Sequence, residues 1–237
     1  MEDLSTRDEF EEQLSGLADS IQNGDRPGAL HYLGNVEDTA LLIDRLPTEQ
    51  RRELFQLLTP ADAADVLEHV YYFQGADIIE ELAPEAAASI IAELDSDDRA
   101  DLLNELDEED SAAILEVLDT RLAQETRQFM SYPEGTAGSI MYSEFVSFPE
   151  TMSVGEILED IRTHREKYAE YGIQYAYILN EDGVLRGVLP IRNLLFARRS
   201  QSARETMIPE PITVNAETPV IELEHLFEEH RFLGLPV

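Results

Sequence analysis

The chain has 237 residues, enough for about two domains, and 43% of them are hydrophobic, so real cores can form. Fifty Asp and Glu against seventeen Lys and Arg leave a formal net charge of −33, which excludes nucleic acid and anionic lipid as direct ligands and makes cations the natural partners. There is no cysteine, so disulfides and thiolate metal sites are excluded, and the five histidines lack the close spacings that zinc prefers.

The acidic, amphipathic N-terminus has no basic start followed by an apolar core, and no later stretch approaches a membrane span, so the chain as given is expected to be soluble. Phe10, Leu14, Leu17 and Ile21 recur at steps of four and three and predict a helix over residues 7–23, ended by Asn23, Gly24 and Asp25. A shorter helix is expected over 27–33. Leu46, Leu58, Val70, Leu82, Leu94, Leu106 and Leu118 then follow at an unbroken spacing of twelve. In phase with them fall apolar pairs from Leu54–Phe55 to Ile114–Leu115 and the alanines Ala64, Ala76, Ala88, Ala100 and Ala112. Thr48, Pro60, Pro84 and Ser96 open units as turn or cap residues, with acids such as Glu49, Glu85 and Asp97 suited to a helix first turn. A helix of about eight residues is only about 12 Å long and marginal in water, so these units must stack. The expectation is a solenoid whose alanines let neighbouring helices approach closely. A last helix is expected over 120–130.

Residues 131–142 break this pattern. Pro133, Gly135 and Gly138 within six residues stop an incoming helix, and taken alone the stretch is a linker. Beyond it the texture is α/β. A strand is expected over 145–148, then a helix over 154–166 opened by the capping box of Ser153 and Glu156. Strands over 173–179 and 184–189 flank the turn Asn180-Glu181-Asp182-Gly183, and a helix follows over 191–197. Much of the pattern then restarts: a strand over 211–214, Thr218 as cap with Pro219 at the first helical position, a helix to His230, and a strand beginning at 235–237. This second copy is incomplete, so the sequence reads as a fragment of a longer protein. A nucleophile elbow, a phosphate-cradling glycine loop and an HExxH motif are all missing, so no enzyme activity and no catalytic residue is expected.

The repeats PADAADVLEHV and SDDRADLLNEL, the joint YPEGTAGSIM, the run YAYILNEDGVLRGVLPIRNLL and the final LPV closely resemble the cytosolic region of the MgtE family of magnesium transporters, over nearly the whole chain. The joint motif is the most specific of these. The resemblance implies an acidic superhelical N domain over 1–130, a joint over 131–142, a first CBS domain over 143–204 and the start of a second over 205–237. It also implies a missing membrane channel, placing the full-length protein at the cytoplasmic face of the cell membrane. Cytosolic Mg²⁺ bound between the N and CBS domains would lock a homodimer, paired through its CBS domains, in the closed state.

Mg²⁺ takes oxygen ligands in octahedral geometry and keeps several waters, which suits carboxylates facing one another across an interface. Asp97 and Asp101 are four apart on one helix face and match the family's sensing acids in that repeat, and Asp98 beside them is a further candidate ligand. At about 6 Å, two carboxylates repel by up to roughly 3 kcal/mol at an effective dielectric of 20, and a divalent cation relieves this. These acids equally suit a plain helix N-terminus. On the later helix the family's sensing acids align with Ile221 and Arg231, so ligands there would come from Glu222, Glu228 or Glu229. CBS domains often hold an adenine nucleotide through a hydroxyl residue and an Asp three residues on. Here those positions are Pro190 and Asn193, so no cofactor beyond Mg²⁺ is expected in this copy. Two alternatives are a CBS adenine-nucleotide sensor and a helical-repeat interaction scaffold resembling flagellar motor switch repeats.

Overall fold

A computed structural model describes residues 2–34, 36–165, 168 and 174–237, apart from the side chains of 2–8 and 36–38. The expected helix end at Glu166 and strand start at Ile173 lie outside the described residues. The chain divides into two compact units, residues 1–131 and 132–237.

In the first unit, α1 (Glu2–Gln22) buries Leu17 and Ile21, with Phe10 and Leu14 packed against the same core. Gly24, at φ +66°, closes it. Asp25 then caps α2 (Arg26–Leu33), its carboxylate accepting from the Gly28 amide at 3.1 Å. Helix α3 (Val36–Arg45) was not expected. Its buried Leu42–Ile43 pair stands twelve residues before Leu54–Phe55, so the repeat begins one unit earlier than the leucine series shows; Gly34 occupies the place where that series would carry leucine.

Seven helices continue the repeat: α4 (Thr48–Leu57), α5 (Pro60–Leu67), α6 (Tyr72–Glu80), α7 (Pro84–Ile91), α8 (Ser96–Glu105), α9 (Glu108–Val117) and α10 (Thr120–Met130). Every apolar pair from Leu54–Phe55 to Ile114–Leu115 is buried. The repeating leucine follows the helix instead of lying in it: Leu58, Leu106 and Leu118 are extended C-caps that turn the chain back. Thr48, Pro60, Pro84 and Ser96 are first helical residues, one place after the true caps. Thr59 is such a cap, forming a capping box with Asp62. Burial pushes the Asp62 carboxyl up, but the Thr59 hydroxyl and amide and the Arg26 guanidinium outweigh it and hold it below the usual range.

From α5 onward each helix packs on its next-but-one neighbour, α5 on α7 and α7 on α9, α6 on α8 and α8 on α10, so successive units alternate between two rows. Ala64, Ala76, Ala88 and Ala100 are buried in this stack, whereas Ala112 is exposed on α9, where its row ends. A second column of small residues, Ala63, Gly75, Ala87, Ser111 and Ala123, is buried as well, and Arg99 occupies the same column at 3% exposure.

The second unit is built on a four-stranded sheet in the order β1-β2-β3-β4: β1 (Val146–Pro149), β2 (Tyr175–Leu179), β3 (Leu185–Pro190) and β4 (Ile208–Pro209). β1 and β2 are parallel, as a helical crossover permits; the other pairings are antiparallel. The crossover helix α11 (Val154–Thr163) opens with the Ser153/Glu156 capping box. Asn180 orders the hairpin turn, its side-chain oxygen accepting from the Asp182 and Val184 amides, with Gly183 at φ +76°. Val146, Phe148, Val154, Ile157, Ala176, Ile178 and Leu189 form the core. After β3 come two short helices, α12 (Ile191–Leu194) and α13 (Ala203–Thr206), and later α14 (Val220–His230).

The second unit departs from the sequence expectations at several points. No strand forms over 211–214 or 235–237; a single backbone bond runs from the Val214 amide to the Pro236 carbonyl, because Pro211 and Pro236 have no N–H to extend a ladder. Helix α12 stops at Leu194, not 197. The cap of α14 is Pro219, while the Thr218 hydroxyl accepts from the Asn215 amide. The glycine-containing joint is also no free strand of linker. Ala137 and Gly138 amides donate to Thr218 and Ala216 carbonyls at 2.7 Å each, and the Val220 amide donates to Gly135. Gly135 is at φ +74°, and a Cβ on Gly138 would meet the Tyr132 ring at 2.5 Å.

Candidate metal site

Ser96 is buried at the start of α8, which fixes the first turn so that Asp97 and Asp98 stand half-exposed beside the Asp95 cap, with Asp101 one turn on. Stacking of α8 on α6 brings Tyr72 to this turn, where its hydroxyl donates to Asp98 Oδ1 at 2.9 Å. Burial, then the charges of Asp98 and Asp95, push the Asp97 carboxyl up to about 6, although backbone amides at Asp97 and Asp98 oppose the shift. Tyr72 is raised well above its ordinary range by burial and by Asp98, Asp101 and Asp97. Glu68, just past α5, is raised by burial and by Asp98, Asp95 and Asp65. The ends of three helices thus hold one crowded negative field, in which burial and neighbouring charges make Asp97 and Glu68 harder to ionise.

Tyr72 and Glu68 were not identified from the sequence. The signal that could have found them is the period itself: Tyr72 and Ser96 are two repeats apart, and next-but-one stacking sets their first turns side by side. A second group was also missed. Among the described residues, Glu80 at the end of α6 and Asp107 and Asp110 at the start of α9 bring carboxylate oxygens within 4.8 Å of one another, all on exposed residues. An open groove between α2 and α5 is lined by Leu30, Leu33 and Val66 together with Asp62, Asp65 and His69.

Glu222, Glu228 and Glu229 are exposed on α14, opposite the buried Leu223, and belong to the second unit. Ile221 is exposed beside them, and Arg231 ends the helix at φ +53°. Pro190 is buried at the end of β3 and Asn193 is half-buried in α12. No helix among the described residues is long and apolar enough to cross a membrane.

The profile of the MgtE intracellular N domain matches residues 34–135, and that of the CBS domain matches 137–200 and 203–237. The magnesium transporter MgtE of Thermus thermophilus is 33% identical over 234 residues, 96% of this chain and 52% of that protein. MgtE of Bacillus subtilis is 31% identical over 108 residues, 46% of this chain and 24% of that one. The chain therefore spans about half the length, or less, of the curated relatives it matches. Among solved structures, the cytosolic domain of the Mg²⁺ channel MgtE in complex with ATP is similar with a TM-score of 0.81 and 31% identity, covering 94% of this chain and 92% of that one. The soluble part of a magnesium transporter has a TM-score of 0.85 at 24% identity, covering 96% and 90%, and supports the fold alone. These relatives are transporters or channels, not enzymes.

Proposed function

Because the chain belongs to the MgtE family of magnesium transporters, its helical unit and CBS module being those of the family's cytosolic region, we propose that it is the Mg²⁺-sensing regulator of a magnesium channel. In this reading Mg²⁺ binds Asp97, Asp98 and Asp101 of the first unit and Glu222, Glu228 or Glu229 of the second, and so favours the closed channel. The full-length protein would act as a homodimer through its CBS domains, with its own membrane domain as partner, at the cytoplasmic face of the cell membrane. The observation that carries the proposal is the acidic first turn of α8, joined to α6 by the Tyr72–Asp98 hydrogen bond, where burial and neighbouring acids push the Asp97 carboxyl up to about 6. A carboxylate held so close to its like-charged neighbours gains more from a divalent cation than an isolated surface acid does.

A second reading, an adenine-nucleotide sensor, is motivated by the ATP bound in the 31% identical neighbour. Pro190 and Asn193 speak against it here, since neither supplies the hydroxyl or carboxylate such a site uses. Melting curves separate the two. MgCl₂ without nucleotide should raise the melting temperature of the wild-type chain, by about 2.7 kcal/mol of stability at a hundredfold excess over the dissociation constant. Asp97→Ala with Asp101→Ala should lose most of that rise. A shift produced by ATP in EDTA, with none from MgCl₂ alone, would overturn the magnesium reading in favour of the nucleotide.

A further inference from the structure

Two surface features lie outside the magnesium reading. The first is a knuckle at residues 195–199, following α12. Leu195 is 77% and Phe196 87% exposed, and no other large hydrophobic residues described are as open. Their position is fixed: the Leu195 and Phe196 amides donate to Arg192 and Asn193 carbonyls, the Gly155 amide donates to the Arg199 carbonyl at 2.9 Å, and the Arg198 amide donates to the Gln201 side chain at 2.8 Å. Arg192, Arg198 and Arg199 are exposed around it. In a chain with fifty acids, these three arginines form no ion pair among the described residues. An ordered apolar tip ringed by uncompensated positive charge is prepared for an acidic partner that also offers apolar or aromatic surface.

The second feature has that complementary chemistry. At the place in the repeat where Glu49, Glu85, Asp97 and Glu109 give other units an acid, α6 carries Phe73, and its first turn reads Tyr71-Tyr72-Phe73. Tyr71 and Phe73 are 68% and 56% exposed, with their rings stacked at 5.7 Å and 8°. Tyr72 links this turn to Asp98. Stacked rings beside carboxylates attract guanidinium groups through the ring face and through charge together.

We infer that the knuckle of one copy docks on the aromatic first turn of α6 in a second copy, and that the contact is reciprocal. Each chain carries both halves, so a two-fold pair has two identical contacts available to it. An anionic bilayer is the poorer occupant, because the net charge of −33 would be brought to a like-charged surface along with the three arginines. The inference rests on the exposed rings and the arginines and requires no bound Mg²⁺, although Asp98 beside Tyr72 is shared with the proposed metal site.

The absence of cysteine makes a direct test available. Two single-cysteine variants of this 237-residue chain, Phe73→Cys and Phe196→Cys, differing in mass through a tag, are mixed in EDTA and treated with a short bismaleimide. The expected result is a mixed-mass dimer formed severalfold more readily than a dimer of either variant alone, reduced severalfold when Arg198→Glu and Arg199→Glu are added to the Phe196→Cys chain. Both cysteines replace exposed rings, and circular dichroism of each variant checks that it folds. A dimer formed by Phe196→Cys alone would overturn the inference in favour of knuckle on knuckle. Crosslinking only within a chain carrying both cysteines would overturn it in favour of a contact within one molecule. No crosslinking at all also overturns it, and co-sedimentation with phosphatidylglycerol vesicles would then identify a bilayer as the occupant. A mixed dimer in a chain that shows no MgCl₂ response would leave this inference standing while the magnesium reading fails.

Discussion

Ile91→Ala is expected to destabilise the helical unit by about 2–5 kcal/mol. Ile91 is the last residue of α7 and is fully buried, in a helix held between α5 and α9. Removing three carbons there leaves a cavity that short helices cannot close without shifting both neighbours in the row. The stack makes the effect spread, since a repeat helix of eight residues has little stability apart from its neighbours. Urea unfolding followed by far-ultraviolet circular dichroism reports it, because most helix lies in this unit. Glu85→Ala, on the exposed side of the same helix, should stay within about 0.5 kcal/mol. Equal effects of the two substitutions would contradict the packing described for α7.

The acidic turn of α8 should respond in the opposite direction. Asp97→Asn is expected to make the metal-free chain more stable at neutral pH and to remove a large part of its response to Mg²⁺. The Asp97 carboxyl has its folded value raised from 3.8 to about 6. A raised value means that the folded chain binds the proton more tightly than the unfolded one. The resulting stabilisation is complete below about 3.8 and is lost as the pH rises through 6. The ionised wild type therefore carries a penalty at neutral pH that asparagine avoids, on the order of 1 kcal/mol once screening at this half-exposed site is allowed for. The advantage of Asp97→Asn should shrink as the pH falls through 6. Protons and Mg²⁺ compete for the same oxygens, so the wild-type Mg²⁺ response should fade over the same window. Melting temperatures of the two chains across pH, with EDTA and with MgCl₂, check both parts; a pH-independent difference between them would contradict the crowding at Asp97.

The division into helical repeats and an α/β module was legible because both depend on short-range pattern. The twelve-residue period located the buried pairs, and Ser153 with Glu156 marked the start of α11. Helix α3 was hidden by one residue, Gly34, which breaks the leucine series while Leu42–Ile43 keep its phase. The expected strands near Pro211 and Pro236 failed because an apolar run with proline in it cannot supply the ladder's donors. At the candidate site, the spacing of Asp97 and Asp101 was visible, but the period does not say whether a helix packs on its next neighbour or its next-but-one. That choice is what brings Tyr72 to Asp98, and a Tyr–Asp contact across 26 residues has no local signature. The Glu80–Asp107–Asp110 group, reaching from the end of α6 to the start of α9 across 27 residues, likewise has no local signature.

The central proposal is that Mg²⁺ acts as a bridge between acidic surfaces and not as general ionic strength. Two units share a net charge of −33, and monovalent salt can only screen that repulsion, while a divalent ion held by carboxylates from both units draws them together. Small-angle scattering measures this directly. The radius of gyration should be smaller in millimolar MgCl₂ than in NaCl of equal ionic strength, and Asp97→Ala with Asp101→Ala should reduce the difference. Equal compaction in the two salts would contradict a specific Mg²⁺ sensor.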